Sequence, residues 1–241
     1  MRVGVFDSGI GGLTVLKTLI DKRPNNEYIY YGDTLNLPYG DKSISELLVL
    51  SENDIEFLLS KGVDVIIIAC GTISSTCMSY LTSKYNIPIY DIITPVIEYL
   101  NESNYQNIGV IATKRTINSH IFKENINKNI IEIKTPKLVP LIESNNILEL
   151  NKVINEYLAT YCNKLDSLVL GCTHYPIIKD KILDVFNNQI DVLDMSMFII
   201  DKIDEGSTSN IKIYFSKLDD IIIENTKRIL NCNDIIIEKK Y

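Results

Sequence analysis

The chain has 241 residues, a net charge of −7 and a sequence pI of about 5.0. This acidic balance argues against a nucleic-acid partner, because phosphate binding needs a basic footprint. Hydrophobic residues make up 46% of the chain, enough for well-packed cores. No stretch approaches the roughly 18 uninterrupted apolar residues of a membrane span. The N-terminal "MRVGVFDSG" has the pattern of a strand and a turn and not of a signal peptide, so we expect a cytoplasmic protein.

Along the chain, short apolar runs alternate with longer amphipathic stretches. The predicted strands are Val3–Phe6, Tyr28–Tyr31, Val65–Ala69, Ile87–Asp91, Ile108–Ile111, Leu168–Leu170 and Asp191–Leu193. The predicted helices between them are Ser43–Lys61, Cys77–Tyr85, Thr94–Glu102, Ile147–Leu165 and Tyr175–Phe186. Alternation of this kind predicts an α/β fold with mainly parallel sheets. The run "VDVIIIA" is typical of a strand that is buried on both faces.

Two segments in the first half of the chain are similar in sequence to two segments in the second half. "VGVFDSG" (Val3–Gly9) is similar to "IGVIATK" (Ile108–Lys114), and "DVIIIACGT" (Asp64–Thr72) is similar to "DSLVLGCT" (Asp166–Thr173). The two matches occur in the same order and at nearly equal spacing. Parallel α/β strands often look alike, but two ordered matches favour an internal duplication. The sequence therefore predicts two similar halves.

Candidate functional residues follow the predicted strands at their carboxyl ends, where the functional residues of parallel sheets gather. They are Asp7, Ser8, Cys70, Gly71, Thr72, Thr113, Cys172, Thr173 and His174. If the two halves face each other, Cys70 and Cys172 lie opposite each other across a crevice.

The chain has five cysteines, an odd number, so a disulfide framework is not expected. No two cysteines are spaced C-x-x-C and there are two histidines, so we expect no metal site. Cys77, Cys162 and Cys232 have no polar setting and are interpreted as structural. A cysteine in an apolar strand is usually a core residue; the internal similarity and the "THYP" after Cys172 favour a catalytic pair.

Two opposed acid/base groups are what inversion of an α-carbon requires, because a proton leaves one face and another arrives on the opposite face. A thiol suits this role, since neighbours can bring its pKa near working pH. His174 could assist Cys172, and Asp7 could assist Cys70 or orient an ammonium group. Asp7 could equally cap a helix opening near Gly12. A phosphate-cradling reading of "DSGIGG" is weaker, because its glycine spacing does not fit.

Several segments together resemble the glutamate racemases of the aspartate/glutamate racemase superfamily. They are "GVFDSGIGGLTVLKTL" (Gly4–Leu19), "YYGDTLNLPYGDKS" (Tyr30–Ser43), "IIIACGTISS" (Ile66–Ser75), "GVIATKRTINS" (Gly109–Ser119), "TPKLVPLIE" (Thr135–Glu143) and "LVLGCTHYPII" (Leu168–Ile178). The last segment is the most specific, and the resemblance extends over nearly the whole chain.

The resemblance implies interconversion of L- and D-glutamate without a cofactor, as a supply of D-glutamate for peptidoglycan. It implies that Cys70 and Cys172 are the proton donors and acceptors, with Asp7 and His174 as their assistants. Substrate contacts are expected from Asp7, Ser8, Pro38, Tyr39, Gly40, Gly71, Thr72, Thr113, Thr116, Thr173 and His174, and more weakly from Glu143. The implied fold is two pseudo-symmetric α/β/α sandwich domains, residues 1–92 with 207–241 and residues 93–206, with the site between them. A homodimer is expected.

The chain departs from the family pattern at three positions. Gly71 stands where the family usually has Asn, Arg115 where a smaller residue is common, and Phe122 where Tyr is common. Gly71 leaves open an aspartate or broader-specificity racemase, although "THYP" favours glutamate because aspartate-type members typically carry Glu at the position of His174. A non-catalytic binding protein on the same fold, and a one-cysteine lyase or decarboxylase, are further alternatives.

Overall fold

The computed structural model describes residues 1–232 and 235–240 of the chain. Its strands are β1 (Arg2–Asp7), β2 (Glu27–Gly32), β3 (Val65–Ile68), β4 (Ile89–Asp91), β5 (Asn107–Ala112), β6 (Asn129–Lys134), β7 (Ser167–Leu170), β8 (Asp191–Asp194), β9 (Asn210–Phe215) and β10 (Ile236–Lys239). Its α-helices are α1 (Leu13–Lys22), α2 (Ile44–Ser60), α3 (Gly71–Ser74), α4 (Met78–Lys84), α5 (Thr94–Glu102), α6 (Lys114–Asn118), α7 (Ile121–Asn125), α8 (Leu138–Glu143), α9 (Ile147–Leu158), α10 (Lys179–Val185) and α11 (Asp220–Leu230).

The strands form two sheets in which every pair is parallel. The first has the order β10-β9-β2-β1-β3-β4, and the second has the order β6-β5-β7-β8. The run β2-β1-β3-β4 therefore has the same arrangement as the whole second sheet. The predicted α/β fold with two similar halves is confirmed.

The similarity extends to individual backbone contacts. The amide of Ala69, just beyond β3, donates to the carbonyl of Phe6, and the amide of Gly171, just beyond β7, donates to the carbonyl of Ile111, both at 2.8 Å. At the other strand end, the Asp64 carboxylate accepts from the Arg2 amide, and Asp166 accepts from Asn107. The two cysteine-bearing strands therefore occupy equivalent places.

Each sheet is covered on both faces, as alternation of buried side chains along a strand requires. On β1, Val3 and Val5 pack into a cluster with α1, whereas Phe6 packs into the cluster beneath α2. The cluster that contains Val3 continues to Val110 of β5 and so joins the two sheets. A third cluster packs α8, α9 and α10 onto the outer face of the second sheet.

Some predicted boundaries were wrong. The helix predicted over Ile147–Leu165 ends at Leu158, because the chain enters a 3-10 turn and then a left-handed residue, Asn163 (φ 61°). In the helix predicted over Tyr175–Phe186, Tyr175–Ile178 form a 3-10 turn before α10 begins. β6, β9 and β10 were not predicted, since polar or charged residues interrupt their apolar pattern.

The first sheet takes its strands from residues 2–91 and 210–239, and the second from residues 107–194. The domain boundaries themselves, at residues 92/93 and 206/207, stay a prediction. The predicted first domain also includes residues 233, 234 and 241, which lie outside the described residues. Across the described part of the chain, none of the helices combines the length and apolar composition needed to cross a membrane.

Candidate active site

The carboxyl ends of β1, β3, β5 and β7 open into a cavity of about 350 Å³. From the predicted site it is lined by Asp7, Ser8, Pro38, Tyr39, Gly40, Cys70, Gly71, Thr72, Thr113, Cys172, Thr173 and His174. One cysteine comes from each sheet. A larger and more open depression of about 520 Å³ lies between α1 and α10, but it contains none of these residues.

Cys172 lies at the start of a chain of polar contacts. Its Sγ is 3.8 Å from Nδ1 of His174, and Nε2 of His174 is 3.0 Å from Oε1 of Glu143. Burial opposes the charged form of His174, but the contacts with Cys172 and Glu143 outweigh it and raise the pKa of the imidazole to about 10. The imidazole is therefore protonated at neutral pH and places a positive charge beside the Cys172 sulfur.

Cys70 lies in a different environment. Its thiol donates to Oγ of Ser8 over 3.6 Å. Burial, followed by the nearby charge of Asp7, raises the pKa of the thiol to about 12, although the amides of Ile73 and Thr72 and the Ser8 hydroxyl act in the opposite direction. Cys70 is therefore a neutral thiol in the free protein.

Asp7 organises the loop that follows β1. One carboxylate oxygen, Oδ2, accepts the amides of Gly9 and Gly12 at 3.0 Å each, and the other, Oδ1, accepts the hydroxyl of Thr173 at 3.4 Å. A side chain at Gly12 would place its Cβ 2.4 Å from the Cβ of Asp7, so this fold of the loop requires glycine there. Because Asp7 occupies these amides, the "DSGIGG" loop does not offer them to a phosphate group.

Hydroxyl groups link the two halves beside the cavity. Oγ1 of Thr72 is 3.2 Å from Oγ1 of Thr113, which is 3.1 Å from Oγ1 of Thr116. Thr14 also donates to the carbonyl of Thr173, at 3.0 Å. Thr116 is fully buried behind Thr113 and does not line the cavity, so it is placed to orient Thr113 and not to contact a ligand directly.

Gly71 lies where the two cysteine segments approach each other closely. A Cβ at this position would be 2.9 Å from the carbonyl oxygen of Gly171, a backbone atom that cannot rotate away. The residue that departs from the family pattern therefore permits a backbone approach that a larger residue could not make without movement.

The cavity is also lined by residues that were not predicted from the sequence. They are Leu37, Asp41, Lys114, Thr135, Pro136, Val139, Pro140 and Gly171. Glu143, the weaker candidate, lines the cavity and holds His174. The segment "TPKLVPLIE" carried the signal for several of these residues, but nothing in its pattern showed that Glu143 would meet His174.

Comparison with known proteins identifies the family of the chain. The family model for Asp/Glu/Hydantoin racemase matches residues 40–198. The glutamate racemase of Aquifex aeolicus is 37% identical over 227 residues, covering 90% of this chain and 89% of that protein. The glutamate racemase of Clostridium perfringens (strain SM101 / Type A) is 37% identical and covers 99% of this chain and 96% of that protein.

Solved structures give the same result. Glutamate racemase from Francisella tularensis, in complex with D-glutamate, superimposes with a TM-score of 0.87 at 29% identity, covering 99% of this chain and 96% of that one. Glutamate racemase from Aquifex pyrophilus gives a TM-score of 0.84 at 32% identity, with 99% and 98% covered. The chain belongs to the Asp/Glu/hydantoin racemase family, a family of isomerases. Within that family, these relatives are glutamate racemases.

Proposed function

We propose that this protein interconverts L- and D-glutamate by a cofactor-independent 1,1-proton transfer between two cysteines. The observation that carries this proposal is the meeting of Cys70 and Cys172, from equivalent strand ends of two similar halves, in one cavity. The family match supports the substrate, since the named relatives are glutamate racemases.

In each direction one cysteine begins as a thiolate and the other as a thiol. The thiolate takes the α-proton: the Cα–H bond breaks, an S–H bond forms, and the electron pair remains on the carbon and its carboxylate. The opposing thiol then protonates the other face of the carbon and becomes the thiolate. The roles are exchanged in the reverse reaction.

The surroundings of the cysteines suit these roles. The protonated His174 places a positive charge beside the Cys172 sulfur, on the side where a thiolate is needed when Cys172 acts as the base. On the other side, burial and then the nearby charge of Asp7 raise the pKa of the Cys70 thiol, so Cys70 keeps the proton that it can donate. A substrate ammonium group near Asp7 would offset that negative charge and ease ionisation of Cys70 when it must act as the base.

The substrate carboxylates require donors, and the cavity supplies them. Thr72, Thr113 and Thr173 carry hydroxyls at its wall, and Lys114 adds a positive charge. Gly71 leaves no side chain at a wall position, so the neighbouring threonines hold the substrate there. We further propose a cytoplasmic, homodimeric enzyme that supplies D-glutamate for peptidoglycan; expression should restore growth of a D-glutamate auxotroph without added D-glutamate.

The direct test is deuterium incorporation at the α-carbon in D₂O, without added cofactor, using L-Glu, D-Glu, L-Asp and D-Asp. We expect exchange with both glutamate enantiomers and little with aspartate. Exchange with aspartate alone would show that the protein is an aspartate racemase. No exchange with any of the four amino acids would refute the racemase proposal. The Cys162→Ser variant, in which the replaced thiol lies away from the cavity, is the matched control and should exchange normally.

A further inference from the structure

Behind the cavity wall formed by Pro38–Gly40 lies a buried group of one phenol and two carboxyl groups. Tyr39 belongs to the wall, Asp33 follows β2, and Asp54 lies in the middle of α2. All three are at most 2% exposed. The Tyr39 hydroxyl is 2.7 Å from Oδ2 of Asp33 and 3.1 Å from Oδ2 of Asp54, so one phenol contacts two carboxyl groups.

The two carboxyl groups share a single phenol proton. A phenol has one proton and can donate to one oxygen only. Asp33 accepts from Nδ2 of Asn36 through both of its oxygens, at 3.0 and 2.9 Å, which is the pattern of an ionised carboxylate. Tyr39 therefore donates to Asp33. Its contact with Asp54 is then a hydrogen bond only if Asp54 carries a proton of its own.

The other groups that face Asp54 are few. Asp33 is negative, and Lys240, near the end of the chain, is positive and lies over the Tyr31 ring at 4.6 Å. The Tyr31 hydroxyl, whose pKa is raised by burial and then by Asp54, and Glu56, on the same helix as Asp54, border the same surface depression as Asp54. Burial first, and then the charge of Asp33, raise the pKa of Asp54 well above its usual value, against the opposing effects of Tyr39 and Lys240. Burial, Asp54 and Asp33 likewise raise the pKa of Tyr39, which keeps the phenol protonated.

We propose that Asp54 is a neutral carboxylic acid that donates to Tyr39, and that the ordered chain Asp54→Tyr39→Asp33 positions the Pro38–Gly40 wall for substrate binding. The positional consequence rests on the proposed racemase function; the protonation state does not.

The wall is tightly connected to the site. The Tyr39 ring packs in the same apolar cluster as Cys70. The next residue, Gly40, leaves only 3.3 Å between an added Cβ and the Cβ of Thr113 on the other half. A shift of Tyr39 would therefore change both a cysteine environment and a contact between the halves. Asp54 and Asp33 act through Tyr39 and are positioning residues, not catalytic ones.

The first test is infrared spectroscopy of the free protein at neutral pH. A carboxylic-acid C=O band should be present in the wild type and missing in Asp54→Asn. Asp21→Asn, which replaces an exposed carboxylate paired with Lys17, is the control and should leave the band unchanged. Lack of a band that depends on Asp54 would overturn the proposal, whether or not the protein racemises glutamate.

The second test separates positioning from folding. Asp54→Asn keeps a neutral donor for Tyr39, so its KM for glutamate should stay within about twofold of the wild type. Asp54→Ala removes the donor and Asp33→Asn places an amide donor against Asn36, so each should raise KM by about tenfold with a smaller change in kcat. If Asp54→Asn folds but raises KM as much as Asp54→Ala, the neutral-acid assignment is wrong. Should Asp54→Ala fail to fold, the Asp54→Asn kinetics and the infrared band still decide.

A pH profile gives the third readout. Ionisation of Asp54 as pH rises would remove the donor and place a second carboxylate charge beside the phenol. KM of the wild type should therefore rise at alkaline pH, and Asp54→Asn should lack that rise. An identical alkaline rise in both proteins would contradict the proposed role of Asp54. If the wild type racemises none of the tested amino acids, the proposed function fails, while the infrared result stands by itself.

Discussion

The two cysteine segments have the same place in the fold and opposite electrostatics. Each cysteine lies two residues beyond the end of an inner strand, β3 or β7, and each strand makes the same contacts with its neighbour. Yet Cys172 lies beside a protonated imidazole, whereas Cys70 lies beside a neutral hydroxyl and near a carboxylate. The fold places the two sulfurs in equivalent positions, and the residues around them give each sulfur a different electrostatic environment.

The difference begins with the residues that follow each cysteine. Gly71 and Thr72 follow Cys70, and Thr173 and His174 follow Cys172. Thr173, in the second half, donates a hydrogen bond to Asp7 of the first half, and His174 is hydrogen-bonded to Glu143. Gly71 has no side chain and instead lets the backbone segments approach. Two equivalent strand ends thus have different electrostatic surroundings.

The largest effect expected is loss of either sulfur. Cys70→Ser and Cys172→Ser should each lower kcat by about 10²–10⁴-fold, the usual contribution of a general acid or base, because a hydroxyl is a far weaker acid than a thiol. Racemisation measured by polarimetry in both directions tests this. Near-normal turnover in either folded variant would show that the two cysteines do not act as a pair.

The next effect tests the asymmetry itself. His174→Asn removes the positive charge beside Cys172 and should lower kcat/KM by about 10²-fold, with slower alkylation of Cys172 by iodoacetamide at neutral pH. The matched change near Cys70, Ser8→Ala, removes one neutral hydrogen bond and should lower kcat/KM by roughly 2–10-fold. Equal losses in the two variants would break the distinction between the charged and the neutral side.

A smaller effect is expected at Gly71. In Gly71→Ala the new Cβ would lie 2.9 Å from the carbonyl oxygen of Gly171, so one of the two segments must move. Overpacking of this kind typically lowers the free energy of unfolding by about 1–3 kcal/mol. KM for glutamate should also rise, because the shifted backbone lines the cavity. Urea unfolding and steady-state kinetics measure the two effects, and Ser79→Ala, at an exposed position on α4 away from the cavity, is the control. An unchanged midpoint with unchanged KM would contradict the close approach.

The sequence predicted the inner strands well, because β1, β3, β5 and β7 are mainly apolar runs, and it predicted that the residues after them lie at one crevice, where the cavity is found. It missed β6, β9 and β10. β6 and β10 carry charged residues among their apolar ones, and they become strands by pairing with a neighbour, which no local pattern records.

The same limit applies to the site. The pairing of Glu143 with His174 and of Asp54 with Tyr39 joins residues far apart in the chain. A single carboxylate in a helix gives no signal of this in the sequence. Asp7 was predicted at the strand end, but its use as an acceptor for two loop amides depends on how the glycine loop closes.

The smallest effect at neutral pH is expected for Glu143→Gln, and its value lies in its pH dependence. Glu143 is one of the groups that raise the pKa of His174 to about 10, so its neutralisation should lower that pKa. The imidazolium is then lost at lower pH, and the alkaline limb of kcat/KM should move to lower pH. Near pH 7, where His174 is protonated in either protein, the change should be a few-fold at most. Glu156→Gln, an exposed carboxylate on α9, is the control.

The same substitution should change how stability depends on pH. His174 has a folded-state pKa above its unfolded value of about 6.5, so its contribution is fully present below that pH and is lost as pH rises through about 10. With Glu143→Gln the loss should be complete at a lower pH than in the wild type. Urea unfolding at several pH values follows this directly. Because Cys70, with its raised pKa, adds its own alkaline loss in both proteins, only the difference between them reports on His174. If that difference is flat from neutral to alkaline pH, Glu143 does not set the charge of His174, and the asymmetry between the two cysteines has another source.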